Sequence, residues 1–109
     1  MKIAIATDSK KVSGHFGHCE GFTMYEIEEG KILNHEFIEN PGHRPGFLPV
    51  FLKEKDADVI ISGGMGRSAQ DLFIENNIQV IVGAEGNCED VIKSYMEGSL
   101  KSTEEVCDH

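Results

Sequence analysis

Hydrophobic positions change their spacing along this chain, and each change marks an element. Lys2 to Thr7 carries the unbroken run Ile3-Ala4-Ile5-Ala6 and reads as a short buried strand that Asp8 ends. Residues 8–20 are polar and glycine-bearing, a loop holding Ser13-Gly14-His15-Phe16-Gly17-His18-Cys19. Two strands follow, Phe22 to Glu28 and Ile32 to Glu39, joined by a Glu29-Gly30 hairpin turn. In the first of them Phe22 and Met24 fall on one face and Tyr25 and Ile27 on the other. That is the mark of a strand covered on both sides, or of a bulge. Residues 40–46, dense in proline and glycine, form a second loop.

Phe47 to Lys55 reads as a helix, with Pro49 tolerated in its first turn. Val59-Ile60-Ile61 lies within a buried parallel strand over 58–62, followed by the turn Gly63-Gly64-Met65-Gly66. A helix then runs to about Asn76, because Ala69, Leu72 and Phe73 fall at i, i+3 and i+4. Ile78 to Val82 is another strand and 83–86 another turn. Asn87 is a good N-cap, with Glu89 and Asp90 in the first turn of a helix reaching about Glu97. Residues 98–109 lack periodicity and are expected to be a mobile tail. A hairpin followed by two strand–helix alternations predicts one α/β domain over 1–109, a mixed five-stranded sheet with helices on its faces.

Composition narrows the function. A chain of 109 residues buries roughly 65% of its unfolded surface and needs no staple to fold. Lysine and arginine total 10 against 19 acidic residues, a formal charge of −9. Such a chain is a poor partner for nucleic acid or an anionic membrane surface. No apolar run approaches the roughly 18 residues of a membrane span, and nothing at the N-terminus resembles a signal peptide. Three cysteines are an odd count, so reduced thiols in a cytoplasm are expected rather than a disulfide scaffold.

Ligands of open α/β sheets bind beyond the carboxyl ends of the strands. Four segments are expected there: 8–20, 40–46, 63–67 and 83–88. They hold both arginines, Arg44 and Arg67, with Lys10 and Lys11, four positive charges against the three acids Asp8, Glu20 and Glu85, so these segments sum to +1 in a chain of −9 and also carry His15, His18 and His43. His15, His18 and Cys19 are imidazole and thiol donors suited to zinc, copper, iron or iron–sulfur clusters. As ordinary residues they would simply be a loop with exposed histidines. Gly63, Gly64, Met65, Gly66 and Arg67 sit between a strand and a helix, where backbone N–H groups, a helix dipole and a guanidinium favour an anion. The same glycines would equally suit a tight turn with close helix–strand packing. Cys107 and His109 could add a thiolate and an imidazole from the tail, though a frayed terminus is the simpler reading. Cys88 lies at a helix start that would favour its thiolate, but a small buried residue is the commoner case. His35 is read as structural. Asp8 ends the first strand as in two-metal nucleases, yet no acid follows the partner strand, which ends in Gly63-Gly64.

Taken together, Ile3 to Thr7, Ser13-Gly14-His15-Phe16-Gly17, Phe22 to Ile27, Asp58 to Ile61 with Gly63-Gly64-Met65-Gly66, Ile78 to Gly83, and Gly98-Ser99-Leu100 carry a resemblance over nearly the whole chain. The sequence resembles the dinitrogenase iron–molybdenum cofactor biosynthesis family. The resemblance implies a ribonuclease-H-like three-layer fold and a non-enzymatic role in carrying or inserting an iron–sulfur or iron–molybdenum type cluster. The matching positions are His15 and the turn 63–66; His18, Cys19, Cys107 and His109 are additions of this chain. A nitrogenase role is not implied.

The expected protein is therefore a cluster carrier, monomeric or weakly dimeric, that meets a cluster donor or acceptor protein. A single ion such as zinc is the alternative cargo. Two other classes stand beside it: a metal-dependent hydrolase or nuclease, and a small-anion or protein-interaction module that takes no metal.

Overall fold

A computed structural model describes residues 1–42 and 46–100. Strand β1 (Lys2–Asp8) is central, and four of its residues, Ile3 to Ala6, are fully buried. It turns at Ser9 and Lys10, both with positive φ, into the two-residue β2 (Lys11–Val12), which pairs back on Thr7 and Asp8. β3 (Gly21–Glu28) runs antiparallel to β1 and to β4 (Lys31–Glu39), joined by the positive-φ pair Glu29-Gly30 that the hairpin requires. β5 (Val59–Ile61) runs parallel to β1, and β6 (Gln79–Ile81) parallel to β5. The sheet order is β4-β3-β1-β5-β6, with β2 attached to β1. The sequence pattern anticipates every strand except β2, which is too short to carry a period.

The first reading of the β3 pattern holds. Phe22 and Met24 enter one core cluster while Tyr25 and Ile27 enter the other, so the strand is covered on two sides. The hairpin register also shifts at Glu26/Ile27: Asn34 pairs with Glu26 and Ile32 with Ile27, leaving Leu33 as an extra residue in β4.

Among the described residues three α-helices complete the fold: α1 (Phe47–Glu54), α2 (Arg67–Glu75) and α3 (Cys88–Glu97). Leu48 and Leu52 of α1 and Phe73 of α2 pack with Ala4, Ala6, Phe22 and Ile60 on one face of the sheet. Val91 and Ile92 of α3 pack with Ile3, Ile5, Val59 and Ile61 on the other. Pro49 sits at the third position of α1, where its missing N–H would have had no intrahelical partner. The predicted tail begins in an ordered way. Gly98 takes the left-handed conformation that ends α3, and the N–H groups of Ser99 and Leu100 both donate to the Ser94 carbonyl. The remainder of the tail, like His43 and Arg44, lies outside the described residues. No helix among the described residues is long and apolar enough to cross a membrane.

Candidate functional site

Parallel strands β1 and β5 end side by side, so the segments that follow them must meet, and backbone hydrogen bonds join them. The Gly63 N–H donates to the Ser13 carbonyl at 2.8 Å, and the Phe16 N–H to the Gly64 carbonyl at 3.0 Å. Gly83, after β6, donates to Gly63 O at 2.9 Å, and Val12 to Gly86 O at 2.9 Å. Asn40 reaches the same rim, its Nδ2 donating to Cys19 O at 3.0 Å. Thus segments 8–20, 63–67 and 83–88, with the start of 40–46, gather at the carboxyl ends of the strands.

Two buried serines lock this junction. Ser62 Oγ lies 2.9 Å from the Gly64 carbonyl and 3.4 Å from that of Ser13. Ser13 Oγ donates to the His15 carbonyl at 3.1 Å and accepts the His15 N–H at 3.2 Å, closing a tight turn beneath the histidine. Gly63 is required here for space: a Cβ would stand 2.9 Å from Ser13 O and 3.0 Å from Gly14 Cα, both backbone atoms.

The sequence-predicted site residues separate by depth. Phe16 to His18 form one turn of 3-10 helix whose Phe16 ring plugs the core, 5.2 Å from Phe73 in a T-shaped contact and 5.8 Å from Phe22. That plug leaves His15 and His18 exposed on either side of it. Cys19 turns inward, 4% exposed, and burial pushes its thiol up to about 11, with the Asp8 carboxylate adding to the rise. It is therefore a protonated core thiol and not a thiolate facing the rim. Met65 is 1% exposed in the same cluster, a packing residue. Gly66 caps α2 without a side chain, and Arg67, at the start of α2, is exposed. The exposed part of the candidate set is His15, His18 and Arg67 on the glycine turn. Cys107 and His109 lie outside the described residues. Among the described residues no three His, Cys, Asp or Glu side chains are grouped to hold a metal ion.

Cys88 is a small buried residue, the commoner expectation for it. It is buried at the start of α3, its N–H donating to Lys10 O and its Sγ 3.3 Å from Thr7 Oγ1. His35 is exposed on β4 and stacked on Tyr25, with ring centroids 5.6 Å apart. The register Tyr25↔His35 places both on one sheet face.

Comparisons with known proteins agree with this architecture. An uncharacterized protein of Methanocaldococcus jannaschii is 35% identical over 109 residues, covering 95% of this chain and 92% of its own. The crystal structure of PH0822 superposes with a TM-score of 0.89 at 34% identity, covering 95% of this chain and 96% of that one. The apo form of the orange protein from Desulfovibrio gigas shares the fold, with a TM-score of 0.81 at 19% identity over 95% of this chain and 93% of its own. The family model for dinitrogenase iron-molybdenum cofactor matches residues 1–98, and the chain belongs to that family.

Proposed function

We propose that this protein carries an iron–sulfur or molybdenum-containing cluster as cargo during cofactor assembly or delivery, and is not itself an enzyme. Family membership supports the cofactor role. The observation that carries the reading is the direct stitching of the His15–His18 turn to Gly63 and Gly64. It brings the loop that bears two exposed imidazoles against the turn leading into α2, whose N-terminus lacks a side-chain cap and begins with the exposed Arg67. Imidazole supplies a soft-to-borderline donor, while the helix end and Arg67 offset the negative charge of a sulfide-bridged cluster. Few donors and an exposed position suit transfer, since cargo held by a closed ligand set leaves slowly.

The partner is a cluster donor or acceptor protein, the setting a reducing cytoplasm, and the fold class ribonuclease-H-like. Central β1, flanked by an antiparallel hairpin on one side and parallel strands on the other, supports that class. The test is anaerobic reconstitution with iron, molybdate and sulfide, read by visible spectrum and elemental analysis. Wild type is expected to take up metal and colour; His15→Ser combined with His18→Ser is expected to lose most of both. Equal loading of the two proteins would overturn the reading. Pairing Cys107→Ser with His109→Ala reports whether the tail contributes.

A further inference from the structure

Independently of the cargo reading, the other side of the sheet carries an open cleft of about 630 Å³, within the size range of small-molecule sites. Its wall is aromatic: Tyr25 with His35 stacked on it, and Phe37, whose side chain is 52% exposed. The Phe37 ring lies over Gly21, where any Cβ would collide with it, so the glycine fixes the ring's place along the wall. Asn87, Cys88 and Glu89 at the start of α3 and the Ser9–Lys10 turn also line it.

Proton bookkeeping on the floor then says what the cleft wants. Thr7 Oγ1 lies 2.7 Å from the Ile5 carbonyl, which can only accept, so the single Thr7 proton is used there. Thr23 Oγ1, 2.8 Å from Thr7 Oγ1, must therefore donate to it, and Cys88, at 3.3 Å, does likewise. Thr23, only partly buried, is left with lone pairs and no proton to offer. The remaining polar lining includes the Glu89 carboxylate and that of Glu20, already held by Ser9 N–H and Oγ, against one cation, Lys10. Burial and the nearby Cys88 and Glu89 raise the Tyr25 pKa, so its phenol stays neutral. The cleft thus joins an aromatic wall to the Thr23 acceptor and two carboxylates, with Lys10, the Asn87 amide and the neutral Tyr25 phenol as donors on the same lining.

We propose that this cleft is a binding site for a flat, amino-substituted aromatic heterocycle, neutral or cationic, stacked along the exposed His35 and Phe37 and donating its exocyclic amino N–H to Thr23. An anionic ligand would meet Glu89 and Glu20, and a purely apolar one would leave the acceptors unpaired.

The chain has no tryptophan, so 2-aminopurine fluorescence can be excited without interference. Titrating the full chain is expected to quench the probe saturably. Purine, lacking the amino group, should compete about fivefold less well, the scale of one hydrogen bond. Thr23→Val, which keeps the shape, should weaken 2-aminopurine about fivefold and leave purine unchanged. Phe37→Ala, at an exposed position that does not threaten folding, should weaken both probes by a similar factor. No saturable quenching at millimolar probe, equal competition by purine, or quenching indifferent to both substitutions would each overturn the proposal. If circular dichroism shows Thr23→Val unfolded, Phe37→Ala and the purine comparison decide it.

Discussion

The two faces of the sheet differ in how completely helices cover them. Five strands about 4.8 Å apart span roughly 19 Å, and one helix with its side chains is about 10 Å across. Two helices, α1 and α2, cover one face: even Ile38 of edge strand β4 packs into that cluster, along with Phe16 from the rim. On the other face α3 is the only helix among the described residues. It covers β1, β5, β6 and part of β3, leaving His35 and Phe37 of β4 open. On the closed face Phe16 anchors the turn between His15 and His18 in a filled core. The open face shows that a cleft arises wherever helices are one too few for the strands beneath.

The sharpest way to separate the faces is to delete a ring from each. Phe73 is 0% exposed and meets Phe16 edge-on, so Phe73→Ala should cost about 3–5 kcal/mol in denaturant unfolding, the range for a buried aromatic. A cost under about 1 kcal/mol would show that the α1–α2 face is loosely packed. Next is the stitch at the rim. Gly63→Ala forces a Cβ against the backbone of Ser13 and Gly14 and should cost about 1–3 kcal/mol, while separating the His15 turn from the α2 N-terminus and lowering metal uptake. Unchanged stability and uptake would mean that the two segments need not touch.

A pH series sharpens the assignment of Cys19 to the closed face. Its folded thiol is pushed up to about 11 from an ordinary 9.0, so between those values the unfolded chain releases a proton that the folded chain keeps. Stability gained at neutral pH should therefore fall as pH rises from 9 toward 11, and Cys19→Ala should fall less steeply. Tyr25 and Tyr95, also raised by burial, contribute equally to both chains. Identical slopes would place the thiol in water. The smallest effect belongs to the open face: Phe37→Ala should change stability by no more than about 0.5 kcal/mol in the same denaturant assay, as surface substitutions do. A loss near that of Phe73→Ala would mean that the cleft wall is part of the core.

Much of this was legible in the sequence because the signals are local. Alternation on two faces gave β3, i, i+3, i+4 spacing gave α2, and Asn87 with two acids after it marked the start of α3. Convergence of the rim segments followed from parallel strands needing their loops at one end. What escaped is relational. Cys19 follows His18 in the chain, yet neighbouring side chains leave the backbone in different directions, so adjacency says nothing about shared exposure. β2 needs only two residues because β1 holds it. The α3-side cleft depends on helix width against strand count, and the role of Cys88 on where Thr7 sends its proton; no window of sequence contains either.

The extra residue in β4 has a further effect. β4 is a nine-residue strand at the border of the sheet, with Leu33 and Phe37 both exposed, the kind of border on which another chain could continue the sheet. Leu33 breaks the alternation near the hairpin end of the strand, so an incoming strand in step with Asn34 to Glu39 would be out of step with Lys31 and Ile32. One inserted leucine thus leaves this border strand with two registers that a single straight partner strand cannot match at once.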